Sequence, residues 1–249
     1  MLSLFQLIFY QPILNLLVFL YNSAAFQDLG IAIILLTILI KLILWPLSQK
    51  SIKSQKSLQE LQPKIDELKA KYKDKQQEMG AALMALYKEN KINPFSSCLP
   101  LLIQLPFFIA VYRVFRDGLS KHLDLVYPFI AKPEIINTTF LGLLDLSKPN
   151  IYLAILAGLA QFWQAKMMMA KKKKAVVNSS PSKDESMTAI MNKQMLYFMP
   201  ALTIFIGITL PGGLTFYWLI LTLLTILQQF LVARSQDNKG YLIEGEVIK

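Results

Sequence analysis

The stretch GIAIILLTILIKLILWPL, from Gly30 to Leu47, decides how the rest of the chain is organised. It is long and apolar enough to cross a bilayer as a helix, because about 20 apolar residues span the hydrocarbon core. Lys41 nevertheless lies inside it, and a charge at the centre of a membrane helix costs roughly 2.5–3.5 kcal/mol on insertion scales. Thr37 and Trp45 lie one turn to either side of Lys41, so the spacing predicts that the three share one helical face.

Periodicity alone leaves two interpretations of Lys41 open. If the apolar segment ends near Trp45, Lys41 is about 6 Å deep at 1.5 Å per residue, and its ammonium snorkels to the cytoplasmic headgroups. If the segment ends near Lys50, the depth is about 14 Å and snorkelling fails. In that case the charge marks a functional site within the membrane.

The composition of the 249-residue chain is that of a polytopic membrane protein. Hydrophobic residues make up 54% and charged residues only 17%, and several near-uncharged runs reach spanning length, which a soluble domain does not carry. The formal net charge of +10 is concentrated in clusters, so anionic lipid headgroups or RNA are the expected neighbours. Cys98 is the single cysteine, which excludes a disulfide framework and a thiolate metal site.

The order of apolar and charged segments predicts an all-α membrane protein with five transmembrane helices, an N-terminal interfacial helix and a cytoplasmic antiparallel helical hairpin. The interfacial helix falls within residues 1–28, and a sixth span over residues 4–22 stays open as the alternative. The five predicted spans cover residues 29–48, 94–116, 151–169, 191–210 and 214–233. The segments between them are the helical hairpin at 49–93, an extracytoplasmic segment with short surface helices at 117–150 and a basic cytoplasmic loop at 170–190. A cytoplasmic tail follows at 234–249. Lysines concentrate in the hairpin and the loop, so the positive-inside rule places the N-terminal side outside and the C-terminus in the cytoplasm.

The hairpin is predicted from two apolar stripes that would pack against each other. The first stripe has the 3,4 spacing of a coiled-coil seam and the second follows a polar stretch; they comprise Leu58, Leu61, Ile65, Leu68 and Tyr72, then Met79, Leu83, Leu86 and Tyr87. Pro63 predicts a kink or a fresh helix start within the first stripe. A free, solvated coiled coil without a binding role is the alternative interpretation.

The sequence contains no motif that indicates an enzyme. The chain has no Gly-rich phosphate loop, no H-E-x-x-H or G-x-S-x-G motif, and no pair of acidic residues inside the predicted spans. Gln104 is the buried amide of the second span, where it either lines a polar cavity or bonds a neighbouring helix, and the second interpretation is preferred. No catalytic residue, metal or cofactor is therefore predicted.

Several stretches resemble the YidC/Oxa/Alb family of membrane protein insertases. They cover most of residues 11 to 230, and the run NP…CLPLLIQ-P is rarely met outside that family. The stretches are QPILNLL (Gln11–Leu17), TILIKLILWPLSQKS (Thr37–Ser51), LQPKIDELKAKY (Leu61–Tyr72), MALYKENKINPFSSCLPLLIQLPFF (Met84–Phe108), and FMPALTIF with LPGGLTFYWLILTLLTILQQ (Phe198–Gln229). The resemblance is to bacterial members without the large periplasmic domain, and it implies a five-helix core, an interfacial helix and a cytoplasmic hairpin.

The resemblance also implies a hydrophilic groove, open to the cytoplasm and to lipid, that carries a positive residue from the first core helix. Lys41 stands at that position, where the family usually has arginine, so the planar guanidinium fork is missing here. The other positions that match groove or substrate-contact positions are Thr37, Gln104, Phe108, Tyr217 and Trp218.

The function implied is that of an insertase and folding chaperone in the cell membrane, which moves short hydrophilic segments of nascent membrane proteins through the groove. Further implied partners are anionic lipids, the ribosome and the Sec translocon, with lipid or RNA contacts at Lys171, Lys172, Lys173 and Lys174; no small-molecule substrate is implied. Two alternatives are a transporter or channel in which Lys41 binds an anion, and a scaffold whose basic hairpin recruits partners.

Overall fold

The protein is mostly helical. The computed structural model describes residues 3–72, 75–93, 99–117, 123–168 and 194–246. A π-helical turn, Gln6–Tyr10, leads into α1, and a second one, Gln194–Phe198, leads into α8. The helices and strands are α1 (Gln11–Ser23), α2 (Leu29–Ile43), α3 (Trp45–Glu60), α4 (Gln62–Lys71), α5 (Gln76–Glu89), α6 (Leu99–Asp117), β1 (Thr139–Phe140), β2 (Leu144–Asp145), α7 (Ile151–Met168), α8 (Met199–Gly207) and α9 (Gly212–Glu246).

The first long apolar helix is broken rather than continuous. Helix α2 ends at Ile43, and α3 starts at Trp45 in a direction that differs by 69°. Pro46 is the second residue of α3, where its missing N–H leaves no bond unmade and its fixed φ suits a helix start. The prediction of one continuous helix over 29–48 is therefore wrong after Leu44, and Trp45 does not belong to the helix that carries Thr37 and Lys41.

Helices of spanning length are few among the described residues. Gly212–Arg234 within α9 is long and apolar enough to cross a membrane, and the bent pair of α2 and α3 passes the same test when both parts are taken together. Leu196–Gly207 is a shorter apolar helix. The five predicted spans therefore rest on the sequence pattern and on the arrangement of the helix ends described below.

The segment before α7 contains a β-hairpin where the sequence analysis predicts short helices. Strands β1 and β2 are antiparallel, with Phe140 opposite Leu144. The Phe140 ring lies so close to Gly30 of α2 that a Cβ at position 30 would overlap it, and it also contacts the Phe216 ring of α9 with centroids 5.0 Å apart. The hairpin is thus packed across the starts of α2 and α9, a tertiary contact that overrides the local pattern.

The hairpin is followed by a turn that Asp145 organises. Its carboxylate accepts hydrogen bonds from the backbone N–H of Ser147 at 2.9 Å, from the Ser147 hydroxyl at 2.6 Å and from the Thr138 hydroxyl at 3.2 Å. These bonds, chiefly those from Ser147, hold the pKa of Asp145 below its usual value because they stabilise the charged form. Lys148 adds an exposed ion pair at 3.4 Å.

Several helix ends gather around this hairpin. Asp28, the N-cap of α2, accepts a hydrogen bond from the N–H of Leu141 at the hairpin tip, and Gly213 near the start of α9 donates one to the Leu146 carbonyl at 2.7 Å. Phe115 in the last turn of α6 packs directly on Gly213. Helices α2, α7 and α9 therefore begin at one end of the molecule, and α6, which alternates with them along the chain, ends there.

Helices α7 and α8 pack closely through small residues. A Cβ at Gly158 of α7 would overlap the Ile204 side chain and lie 3.1 Å from the Pro200 carbonyl oxygen of α8. Thr203 of α8 donates a hydrogen bond to the Gln161 side chain of α7. The end of α8 is in turn bound to α9, since the Thr215 hydroxyl donates to the Gly207 carbonyl at 3.3 Å.

Helix α1 is fastened to the segment that follows α6. The Asn15 amide is 2% exposed; it donates to the Leu125 carbonyl at 3.1 Å and accepts from the Tyr127 N–H at 2.6 Å. The Tyr21 hydroxyl accepts a bond from the Asn137 N–H at 2.7 Å. The π-helical turn Gln6–Tyr10 and α1 follow each other without a break, so the helical segment covers 18 residues from Gln6 to Ser23. Its length therefore leaves both the interfacial position and the sixth span open.

The predicted helical hairpin consists of α3, α4 and α5. Helix α4 starts at Gln62, directly before Pro63, so the proline opens a new helix rather than kinking an old one. Ile65 and Leu61 are buried at this seam, with 6% and 7% of their surfaces exposed. The facing stripe of α5 is half-buried at Met79, Leu83, Leu86 and Tyr87.

Candidate functional site

Lys41 points into the molecule, towards α9. Its side chain is 7% exposed, and its ammonium donates a hydrogen bond to the Thr225 hydroxyl at 2.9 Å. The Thr225 hydroxyl donates its own proton to the Leu221 carbonyl at 2.7 Å, so its lone pairs face the ammonium. Within the described residues Lys41 has no carboxylate at ion-pairing distance. The structure therefore presents a buried cation that is held by one neutral acceptor.

A second contact joins the same helices one turn further along. Gln228 of α9 is completely buried, and its amide N–H donates to the Trp45 carbonyl in the first turn of α3 at 3.2 Å. This bond fixes the start of α3 just after the 69° bend, while the bond from Lys41 fixes the last turn of α2. Together they clamp α9 to both sides of the break.

Two carbonyl oxygens beside this clamp are left without partners. The side-chain oxygens of Gln228 and Gln229 are buried and accept no hydrogen bond, and burying an unpaired polar atom costs about 1–3 kcal/mol. With Thr222 and Thr225 they form a polar column along an otherwise apolar helix. We name Thr222, Thr225, Gln228 and Gln229 the α9 polar column; the sequence analysis assigned no role to it, although polar residues at helical spacing in a membrane segment were the available signal.

Thr37 lies one turn before Lys41, as its spacing predicts, but its hydroxyl serves its own helix. The side chain is fully buried, and the hydroxyl donates to the Ile33 carbonyl at 2.6 Å. Such a bond satisfies the hydroxyl proton locally. Thr37 therefore contributes an acceptor oxygen, rather than a free donor, to the surroundings of Lys41.

The remaining predicted residues form a cluster between α6 and α9. Gln104 donates to the Tyr217 hydroxyl at 2.7 Å, and Tyr217 is completely buried. Phe108, one turn after Gln104, meets Trp218 edge to face with ring centroids 5.5 Å apart. The preferred interpretation of Gln104, a bond to a neighbouring helix, agrees with this contact. These four residues are named the aromatic cluster below.

The predicted site thus divides into two parts along α9. Tyr217 in the aromatic cluster and Thr225 at the Lys41 contact are eight residues apart, which is about 12 Å along the helix axis. Lys41 lies in the last turn of α2, near the bend to α3, whereas the aromatic cluster lies nearer the end of the molecule that carries the β-hairpin. Helix α9 therefore contributes residues to both parts of the candidate site, the charged part and the aromatic part.

Other predicted contacts are not placed by the structure. Lys171, Lys172, Lys173 and Lys174 fall outside the described residues. In the described ranges no group of three or more His, Cys, Asp or Glu side chains comes together to hold a metal ion. The candidate site therefore consists of Lys41 with the α9 polar column and of the aromatic cluster.

Comparison with known proteins points to one family. The model of the 60Kd inner membrane protein family matches residues 19–239. Relatives include the membrane protein insertase YidC of Oleidesulfovibrio alaskensis, 35% identical over 226 residues, and that of Francisella tularensis subsp. novicida, 38% identical over 205 residues. The matches cover 90% and 82% of this chain but only 38% and 32% of those proteins.

Proposed function

The chain belongs to the 60Kd inner membrane protein family, that of the YidC and Oxa membrane protein insertases, and we propose that it is itself an insertase and folding chaperone of membrane proteins. The chain spans about a third of the length of the curated relatives, so this activity is proposed for the residues present here. The observation that carries the proposal is the buried Lys41 ammonium, which has a neutral partner and no counter-ion among the described residues.

The membrane topology we propose has five spans, with the N-terminal side outside and the C-terminus in the cytoplasm. The alternation of α2, α6, α7, α8 and α9 between two ends of the molecule supports it, because successive spans must alternate in direction. The lysines of α3, α4 and α5 lie beyond the end of α2, on the side away from the β-hairpin. The positive-inside rule then assigns that end to the cytoplasm and the β-hairpin to the outside.

The depth of Lys41 follows from its contact with α9. Thr225 lies nine residues before Arg234, where the apolar part of α9 ends, and 13 residues after Gly212, where it starts. These separations correspond to about 14 Å and 20 Å at 1.5 Å per residue. An ammonium about 14 Å from the cytoplasmic end, turned towards a neighbouring helix, is too deep for the snorkelling interpretation. We therefore assign Lys41 to a polar path within the membrane.

In the proposed mechanism Lys41 attracts the acidic residues of a short hydrophilic segment on its way outward. The Thr225 hydroxyl holds the ammonium until a carboxylate takes its place, because a carboxylate adds the attraction between opposite charges to the hydrogen bond. The aromatic cluster further along α9 then contacts the apolar part of the substrate. The substrate's own helix drives the reaction as it leaves for lipid, at about 0.8 kcal/mol per buried CH₂ group. No covalent chemistry and no cofactor are involved.

Nascent membrane proteins are the proposed substrates, and the basic regions would serve recruitment. The lysines of α3, α4 and α5 and the cluster at Lys171 to Lys174 are suited to salt-sensitive contacts with anionic lipid or ribosomal RNA. The ribosome and the Sec translocon are the further partners proposed. Each such contact should weaken as ionic strength rises, because exposed charges are screened.

The test is depletion of the cell's own insertase followed by complementation with variants of this chain. The substrate is a single-span protein with an acidic tail that must reach the outside, and its protection from external protease is measured. We expect Lys41→Ala and Lys41→Glu to lose insertion and Lys41→Arg to retain it. Lys132→Ala, which removes an exposed lysine outside the basic helical hairpin, is the matched control.

A second substrate separates the charge mechanism from general damage. The same protein with a neutral tail should depend much less on Lys41, because no carboxylate seeks the ammonium. Normal insertion of the acidic tail by Lys41→Ala would contradict the mechanism. Equal loss for both tails, with normal protein levels, would assign Lys41 a structural role instead.

A further inference from the structure

Two bulky apolar residues adopt a backbone conformation that they rarely occupy. Phe26, in the turn between α1 and α2, has φ 51°, and Leu141, at the tip of the β-hairpin, has φ 52°. Glycine and asparagine are the usual occupants of this left-handed region, because a larger side chain is strained there. Neither side chain is used for packing, since 91% of Phe26 and 62% of Leu141 is exposed.

Asp28 brings these two residues together. One carboxylate oxygen accepts the N–H of Ile31 at 3.0 Å and caps α2, and the other accepts the N–H of Leu141 at 2.6 Å. Phe26 is only two positions before Asp28. Leu143, on the other side of the hairpin tip, is 90% exposed. Three large apolar side chains therefore project from a rigid platform at the start of α2; we name Phe26, Leu141 and Leu143 the apolar tip.

The position of the apolar tip selects lipid as its partner. The apolar run Leu29–Leu36 of α2 begins directly after Asp28, so this is where the helix enters the bilayer in the proposed topology. The Phe140 ring packs on Gly30, which places the hairpin tip beside the first turn of α2 rather than far above it. Apolar side chains held at this level border the outer headgroups and acyl chains. Asparagine at positions 26 and 141 would relieve the backbone strain, yet the chain has Phe26 and Leu141 there and leaves both side chains exposed. This combination indicates that the apolar side chains themselves have a role.

We propose that Phe26, Leu141 and Leu143 are immersed in the outer leaflet of the membrane and anchor the start of α2 at a fixed depth. This proposal rests on the transmembrane placement of α2 and α9 proposed above. Lys41 lies 13 residues after Asp28 on the same helix, about 20 Å further in. A fixed start of α2 therefore also fixes the depth at which the Lys41 ammonium meets a substrate.

The experiment places a single tryptophan in the apolar tip. The three native tryptophans are replaced (Trp45→Phe, Trp163→Phe and Trp218→Phe), Leu143→Trp is introduced, and the purified full chain is reconstituted in phospholipid vesicles. Fluorescence is measured with phospholipids that carry bromine at shallow or deep acyl positions and with iodide in the water. Leu223→Trp, at a half-exposed position of α9, is the matched reference for a lipid-facing span.

We expect Leu143→Trp to emit at shorter wavelength than in the unfolded protein and to be quenched by shallow bromine more than by iodide. Quenching by iodide alone would overturn the proposal, because the tip would then lie in water. Protection from both quenchers would also overturn it, since protein would then cover the tip. If the Leu223→Trp reference escapes deep bromine, the transmembrane placement itself fails; if the reference is quenched and Leu143→Trp is not, only the anchor fails.

A second variant tests whether Leu141 serves the protein or the lipid. Leu141→Asn should leave the melting temperature in detergent unchanged or raise it, because asparagine tolerates the left-handed backbone. The same substitution should weaken shallow-bromine quenching at Leu143→Trp. A lower melting temperature would mean that Leu141 packs against the protein, which would overturn its assignment to the anchor.

Discussion

Replacing Thr225 with valine removes the hydroxyl that accepts a hydrogen bond from Lys41 and keeps the shape of the side chain. A hydrogen bond to a charged group contributes about 1.5–3 kcal/mol, and only 7% of Lys41 as a whole residue is exposed, so water cannot easily replace the lost partner. The bond from Thr225 to the Leu221 carbonyl is lost as well, but that carbonyl keeps its helical partner. We expect Thr225→Val to lower the free energy of unfolding by about 1.5–3 kcal/mol.

A double-mutant cycle with Lys41→Met isolates the contact. Methionine has a similar length and no charge, so the unpaired ammonium disappears and Thr225→Val should then cost much less. The free energies are measured by reversible unfolding in mixed detergent micelles. We expect a coupling of at least about 1 kcal/mol, within the range found for residues in contact.

Thr222→Val provides the control for that cycle. Thr222 belongs to the same polar column, but its hydroxyl donates to the Trp218 carbonyl rather than meeting Lys41. Its effect should add to that of Lys41→Met. If the effects of Thr225→Val and Lys41→Met on the free energy of unfolding are also additive within about 0.5 kcal/mol, the two side chains do not interact energetically. The proposal that the Thr225 hydroxyl holds the Lys41 ammonium until a substrate carboxylate replaces it then fails.

Three further predictions concern other parts of the molecule. Gly158→Ala should destabilise the protein by about 1–3 kcal/mol, because the new methyl group overlaps α8. Gly80→Ala should stabilise α5 by about 0.5–1 kcal/mol, because there is open space around its Cβ and alanine favours the helix. Both changes are measured from unfolding curves. Tyr217→Phe should cost about 0.5–1.5 kcal/mol through the lost bond from Gln104 while leaving ring packing intact, and equal stability of Tyr217→Phe and wild type would contradict that bond. Because the folded pKa of Asp145 is lowered below 3.8, its stabilising effect is present above that pH and lost as pH falls through the lowered value. Nuclear magnetic resonance titration should give a pKa below 3.8 for this carboxyl, and Asp145→Asn should remove its contribution to the pH dependence of the free energy of unfolding.

The helices that carry the site could be predicted because their sequence patterns are strong. The apolar run after Asp28 and the charge at Lys41 are visible without any structure, and the proline at position 63 marks the start of α4. The family resemblance matches Gln104 and Tyr217 to groove positions, which stays a prediction, and the structure joins the two by one hydrogen bond. Local pattern and short motifs were sufficient for these features.

The direction of α3 after the break and the β-hairpin could not be read in the same way. Pro46 is a local signal for the break, because a proline inside a helix removes a backbone hydrogen bond and kinks or ends the helix. It does not predict the 69° change of direction, and the bond from Gln228 to the Trp45 carbonyl holds the start of α3 in that direction. The hairpin strands have two residues each and depend on the packing of Phe140 against Gly30. Both features rest on tertiary contacts between residues that are far apart in sequence.

The pairing of Lys41 with Thr225 has the same origin. The two residues are separated by 184 positions, and several threonines of the apolar segments were equally eligible by composition. Only the parallel packing of α2 and α9 selects one of them. A single sequence carries no record of that packing.

The attachment of α1 to the segment after α6 imposes an order on the protein's own assembly. Asn15 bonds Leu125 and Tyr127, and Tyr21 bonds Asn137, so each contact closes a loop of 110 to 116 residues. At a synthesis rate of roughly 5–20 residues per second, α1 waits roughly 6–23 s after leaving the ribosome before its partners exist. Throughout that interval the Asn15 amide keeps its bond to the Gln11 carbonyl within α1 but lacks its partners Leu125 and Tyr127. Helix α1 is consequently made early but reaches its full set of contacts only after the segment that follows α6 has been synthesised.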